Sequence, residues 1–430
     1  MRFQHRLVTA VFVMAAALGC RKDKDSEPPT VRILSPGAGF SVGVPDTFTV
    51  VAEVSDDRIV KSLTILLAAA DGVPITASVV IPVNAPSRQI SVGFSISDER
   101  IVSGQYVLTA VAEDGSNTSR DFITITVQAA PLRVRATFLA PPATQTPPYS
   151  ITKVDSAGAM SAFAVLGELG GVAIDRDHLY TTGTGTEPLR LWRISTGSFQ
   201  LLLSNPSVNP NYFKCLKRDP RDDRLYACTA DGQLRGYASD GGQTFYGTTP
   251  DGFIGEATAV VGDFLMCLAV NPVTQQRVLV KHGYVSGARL AEFSASVAPV
   301  AMFERGSQQM LLFGNTASGG HILEVNTALG GSFEMREFTG EPIRCVERLS
   351  PDQFVLGFAD GIRRFDRSTN TVVTIVPGIA TDGLTYEPVS GTVAAASGNQ
   401  VVVINPISGT VATTLAAPHP VGKVLYQLNR

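Results

Sequence analysis

The chain has 430 residues, 44% of them hydrophobic and 17% charged, with 40 glycines, 26 prolines and a formal net charge of −3. This composition excludes a disordered chain, a coiled coil and a collagen-like rod, each of which needs more charge or a strict short repeat. The near-neutral balance gives no electrostatic basis for a nucleic-acid partner. The length accommodates two or three domains, each with a sizeable core.

Residues 1–19 read as a signal peptide: Arg2 and Arg6 precede the apolar run Leu7 to Leu18, which is too short to span a bilayer as a mature helix. The tetrad Ala17-Leu18-Gly19-Cys20 resembles the lipobox of bacterial lipoproteins, with Leu18 where a small residue is more usual. The resemblance implies that Cys20 is lipidated and becomes the first mature residue. Several acyl chains would then hold the protein on a membrane, each buried methylene contributing about 0.8 kcal/mol. Residues 20–28 continue Arg21-Lys22-Asp23-Lys24-Asp25-Ser26-Glu27-Pro28, which has nothing apolar to bury and reads as a solvated tether. Lys22 to Asp25 loosely resembles the signal that sends some Gram-negative lipoproteins to the outer face of the outer membrane. The expected location is therefore the outer membrane, on the cell surface rather than facing the periplasm. No other apolar segment reaches the eighteen residues of a span.

Residues 29–128 alternate apolar and polar positions in short runs separated by turn residues. Strands are expected at Val31–Leu34, Thr47–Val54, Ser62–Ala68, Ile75–Ile81, Gln89–Ile96, Tyr106–Ala112 and Phe122–Val127. Seven short strands in about 100 residues suit a β-sandwich of immunoglobulin type. Pro28 to Pro36 and Gly104 to Asp114 resemble the first and sixth strands of bacterial immunoglobulin-like modules, which often act as spacers. The acidic pairs Asp56-Asp57 and Glu113-Asp114 lack the spacing of cadherin calcium linkers and read as solvated loop charges.

After the linker Ala129-Ala130-Pro131, a motif recurs in which alternating apolar residues run into a polar turn ending in Gly or Asn. Its last apolar residue is Val154, Ile194, Tyr237, Val280, Val325, Phe365 and Ile404, with spacings of 39 to 45 residues. A period near forty with four short strands per unit is the pattern of a β-propeller. Asp231-Gly232 and Asp360-Gly361 supply the positive backbone angles of tight hairpins. Leu191 to Gly197 resembles the third strand of a WD-type blade, although Arg193 stands where that family has Asp. Asn370 to Ile375 and Ile404 to Val411 resemble the YVTN-type repeats of bacterial surface propellers more closely. Val421–Leu428 reads as a first strand without successors, whereas Val134–Leu139, Ser150–Val154 and Ala159–Leu166 read as later strands without a first. The expected fold is all-β: an immunoglobulin-like sandwich followed, over residues 132–430, by a seven-bladed propeller closed by strands from both ends of that segment.

Chemistry is harder to find. Apart from Cys20 the cysteines are Cys215, Cys228, Cys267 and Cys345, at spacings that fit no zinc site. Cys215 and Cys228 flank the expected turn at 219–223 symmetrically, which leaves open a disulfide across two strands or a set of buried thiols. His178, His282, His321 and His419 fall in four different blades, and no linear nucleophile, zinc or phosphate motif occurs. No cofactor or metal is expected. Residues entering the innermost strands should converge on the channel mouth: Gly170, Tyr212, Glu256, Pro299, Glu341, Asp382 and His419. Of these, Tyr212, Glu256, Glu341, Asp382 and His419 are the candidate ligand-binding set, with ordinary rim residues as the plainer reading. Trp192 is expected in blade core, and Arg218, Arg221, Asp222, Asp223 and Arg224 at a solvated hairpin tip. The functional expectation is a monomeric, lipid-anchored envelope protein whose propeller rim binds a protein or a glycan. The alternatives are an envelope lyase or hydrolase with its site at the channel mouth, and a scaffold subunit that docks onto another envelope complex.

Overall fold

The computed structural model describes residues 26–206, 211–219, 221 and 223–430. The expected signal peptide, Cys20 and the tether through Asp25 lie outside the described residues, as do Pro220 and Asp222 of the expected turn. Every regular element among the described residues is a β-strand. They form two compact units, one ending at Pro131 and the other spanning Leu132–Asn429.

The first unit is built on six strands. Asp46–Ala68 pairs antiparallel with Thr30–Ser35, Val79–Ile96 and Gly104–Glu113, the last of which pairs with Thr118–Gln128. Ser41–Gly43 adds a parallel edge to Thr118–Gln128. Alternation fixes the buried face: Tyr106, Leu108, Ala110 and Ala112 are buried, and the residues between them are not. They pack with Val50, Leu63, Ile65, Phe94 and Ile125 in one core.

Two expected strand pairs turn out to be continuous. Thr47–Val54 and Ser62–Ala68 belong to one 23-residue strand, and Val79–Ile96 joins Gln89–Ile96 to the last three residues of Ile75–Ile81, the first four of which precede it. The sequence between Val54 and Ser62 holds no Gly or Pro, so nothing forces the chain out of the ladder. Instead the register shifts between Ser55, Val60 and Ser62. A bulge of this kind bends a strand while keeping it paired. On the partner strand, Asn84 takes φ 51°, a left-handed conformation that asparagine tolerates well.

The second unit contains seven four-stranded antiparallel sheets. Six are assembled from consecutive strands, and their first strands are Gly171–Ile174, Phe213–Arg218, Ile254–Val261, Ala298–Gly306, Cys345–Arg348 and Gly383–Glu387. The seventh takes its first strand, Lys423–Leu428, from the far end of the unit and continues with Val134–Ala140, Tyr149–Asp155 and Met160–Leu166. Lys423 lies opposite Ala140 and Leu425 opposite Phe138. The first strands neighbour one another in chain order, and Lys423–Leu428 neighbours both Gly383–Glu387 and Gly171–Ile174, so the circuit closes. Seven apolar cores lie between successive sheets, two of them shared by the composite sheet with its neighbours. This is a β-propeller.

The repeat found in the sequence falls on the third strands. Val154, Tyr237, Val280, Val325, Phe365 and Ile404 lie within them and Ile194 directly follows one, and all seven are buried. The outermost strands behave differently: Phe199, Leu201, Phe333 and Val411 are exposed, as expected where a sheet meets solvent on its outer edge.

Candidate functional site

The first strands surround the ring axis, so a charged residue on one of them must face the channel, enter an intersheet core or find a partner. Six of the seven contribute, directly or through the residue just before them, to a single cavity of about 380 Å³. A second cavity, of about 440 Å³, shares Lys217, Thr258, Met302, Phe303 and Glu347 with the first. Those five residues form the throat between the two.

The end at which the first strands begin is polar and internally paired. Glu256 accepts from Arg277 Nε at 3.0 Å, and Arg344, immediately before its strand, pairs with Asp382. At the opposite end Arg221 pairs with Asp219 at 3.0 Å, and Glu304 accepts from the Gly262 backbone N–H at 2.7 Å. Arg348 donates to the Glu304 carbonyl at 3.2 Å. These groups largely neutralise one another.

The middle does not balance in this way. Lys217 donates to the Met302 carbonyl at 2.7 Å and its ammonium lies 5.2 Å from the Phe303 ring centre. Lys423 donates to the Val172 carbonyl at 3.2 Å. Between them is Glu347, whose carboxyl is pushed up to about 7 by burial, against the attraction of Lys423 and Lys217 and a hydrogen bond from the Tyr386 backbone. Burial also lowers both lysines from their ordinary value, opposed mainly by Cys215 and Glu347. Lys423 is exposed to the open channel, while the protein groups around its ammonium partly desolvate it.

A carboxyl raised from 4.5 to about 7 on folding destabilises the fold once it ionises. The penalty is absent below about 4.5, grows between 4.5 and 7, and is complete above 7. That displacement corresponds to up to about 3 kcal/mol. Glu347→Gln should therefore gain stability over the wild type at pH 8 by up to this amount and match it at low pH. Urea midpoints of both proteins at pH 5 and pH 8 read the difference directly. An equal gap at both pH values contradicts the assignment.

Of the candidate set named from the sequence, only Glu256 and Asp382 line the cavity. Tyr212 is 3% exposed and packs edge-on against Phe213, its hydroxyl donating to Asp231 at 3.2 Å. It is a core residue and presents no ring to a ligand. Glu341 lies outside the cavity and accepts from both terminal nitrogens of Arg363, at 2.7 and 2.9 Å, which holds its carboxyl below the usual range. His419 is fixed between Thr152 Oγ1 at 2.9 Å and the Pro420 carbonyl at 2.8 Å, also outside the cavity. Trp192 is buried, with its indole N–H donating to Thr181 at 2.9 Å. Cys215 is the cross-strand partner of Cys228, but no bridge joins them and both are free thiols. The hydrogen bond with Cys228, together with burial, raises Cys215 well above the ordinary thiol value. No group of three metal-ligating side chains occurs among the described residues.

Lys217, Arg344, Glu347 and Lys423 were absent from the sequence-derived set. A signal for two of them exists in the repeat: Cys215-Leu216-Lys217 and Cys345-Val346-Glu347 occupy matching first strands, and each places a charge two residues after a half-buried thiol. A charge in such a strand has no solvent on its flanks and points to the lumen.

No protein-family model matches this chain, and no curated protein matches it. Solved structures do resemble it. A protein from Lactobacillus plantarum superposes with a TM-score of 0.52 at 13% identity, over 68% of this chain and 99% of its own. A quinonprotein alcohol dehydrogenase-like protein from Bacteroides thetaiotaomicron gives 0.46 at 10% identity, over 92% and 99%. The dihydro-heme d1 dehydrogenase NirN, solved in complex with DHE, gives 0.48 at 12% identity, over 74% and 72%. Identities this low speak to the fold alone.

Proposed function

We propose that this is a lipid-anchored binding protein of the cell envelope, held on the outer membrane through Cys20 and exposed at the cell surface. In chain order it carries an immunoglobulin-like domain and a seven-bladed propeller that receives a glycan or a protein segment at its channel mouth. The sevenfold count takes each four-stranded sheet as one blade. The immunoglobulin-like reading is supported by Tyr106, at the start of its strand, whose hydroxyl donates to the Val102 carbonyl four residues upstream at 2.9 Å; this is the geometry of a tyrosine corner.

One observation carries the binding reading: a single cavity walled by six of the seven innermost strands, with Glu256, Arg344 and Asp382 along its walls. Concave sites with a few convergent polar groups are where small ligands and chain ends bind. The test is capture from detergent-solubilised envelopes with the mature protein, comparing wild type with Glu256→Ala and Asp382→Ala. Loss of a captured partner or glycan in either variant supports the reading, and undiminished recovery in both rejects this mouth. Cys20→Ala should shift the protein from the membrane fraction to the soluble one. A second reading, an envelope lyase or hydrolase, is favoured by Glu347 alone, since a carboxyl near neutrality suits general acid–base work.

A further inference from the structure

We propose that the channel binds the anionic group of a small molecule, a carboxylate on a sugar acid or short organic acid, between Lys217 of the throat and Lys423 on the adjoining cavity wall. The inference rests on the reading that ligands enter the ring channel and names the class of ligand.

The charge balance is its basis. Arg277 answers Glu256, and Arg344 answers Asp382. Lys217 and Lys423 both line the cavity, and among the described residues neither forms an ion pair with any carboxylate. Each makes one side-chain hydrogen bond, to a backbone carbonyl, which leaves the remaining ammonium protons to the channel. Glu347 is the one acid in the throat and serves two cations. Partial desolvation disfavours both ammonium charges and one carboxyl must serve the two of them, so a ligand that brings negative charge supplies the counter-charge the channel lacks. The remaining walls define the ligand's body. Val300, Met302, Phe303 and Val346 offer apolar contact for a carbon skeleton, and the Glu256, Arg344 and Asp382 polar groups can meet hydroxyls. About 380 Å³ admits a monosaccharide-sized molecule and lies at the small end of ligand cavities.

Glu347 adds a pH dependence. When protonated it no longer competes with the ligand for the lysines, and it can donate a hydrogen bond to the incoming anion. The charged and titratable groups facing it are Lys217, with Asp219 and Cys215 on and beside the same strand, Lys423, Glu304, and its own neighbours Cys345 and Arg348. Anion binding should therefore tighten as pH falls from 8 to 6.

The experiment is calorimetric titration of the mature protein with glucuronate, malonate and sulfate, with glucose as the uncharged comparison. The expected result is binding of at least one anion, weakened tenfold or more in Lys217→Met and in Lys423→Met, and tighter by severalfold at pH 6 than at pH 8. Glu347→Gln should abolish the pH dependence. Lys217→Arg keeps the charge and should retain binding, which separates loss of the site from loss of the fold. Preference for glucuronate identifies an acidic sugar; equal binding of malonate or sulfate identifies a general small oxyanion; both support the site. No binding of any anion at millimolar concentration, or binding that survives both methionine variants, overturns it. Failure here with capture still lost in Glu256→Ala would remove the throat site and leave the mouth reading intact.

Discussion

Deletion of residues 423–430 is expected to abolish the folded state of the 132–430 unit rather than to shorten it. Lys423–Leu428 is the first strand of the composite sheet and supplies the whole ladder on one edge of Val134–Ala140. Its Val424 and Leu425 are 1% and 5% exposed and belong to the two different cores that flank this sheet. Each is worth about 1.5–3 kcal/mol in burial alone, and removing them uncovers apolar partners in both cores at once. Against a total stability of about 5–15 kcal/mol for a typical domain, losing these side chains, the ladder and both contacts leaves little margin. The freed edge of Val134–Ala140 would also invite pairing between molecules. Thermal unfolding followed by circular dichroism, with size-exclusion chromatography, decides the matter. A monomer that melts cooperatively within a few degrees of the full chain would show that the ring holds without its last strand.

Phe354→Ala is expected to cost about 3–5 kcal/mol, the range for deleting a large buried aromatic. Phe354 is fully buried, with ring centres of Phe303, Phe313 and Phe365 at 5.4, 5.0 and 6.4 Å. Phe313 also meets Phe303 and Phe365 edge-on, so the group cannot collapse into the vacated space without breaking other ring contacts. Phe354→Leu, which fills much of that volume, should recover more than half of the loss in urea-unfolding midpoints. An alanine variant within about 1 kcal/mol of wild type would mean that the cluster repacks freely, contrary to the close packing of protein interiors. The same substitution reaches the channel: Phe303, which leans on Phe354, is the ring beneath the Lys217 ammonium.

The propeller was legible because its third strands are buried, which forces an apolar residue at each of Val154, Ile194, Tyr237, Val280, Val325, Phe365 and Ile404, and because turns repeat at the same phase. Closure was legible from arithmetic, since strands left over at one end of the segment matched one missing at the other. The site was mostly not legible. Tyr212 precedes its strand by one residue, and the sequence does not reveal that Asp231 and Phe213 draw it into the core. Glu341 and His419 sit at equivalent phases yet are taken up by Arg363 and Thr152, partners 22 and 267 residues away. In the first unit, period-two alternation marked the buried positions, but a bulge keeps alternation locally while erasing the strand boundary, so Asp46–Ala68 read as two strands.

The composite sheet also governs when the molecule can be completed during synthesis. Val134–Ala140 leaves the ribosome nearly three hundred residues before the segment that must lie beside it. Six sheets can assemble from contiguous stretches as they emerge, but the wheel stays open until Lys423–Leu428 has been made. Whatever shields the early strands from other chains during that delay therefore decides the yield of native protein, and a ribosome that stops before Lys423 releases a ring that no later step can finish.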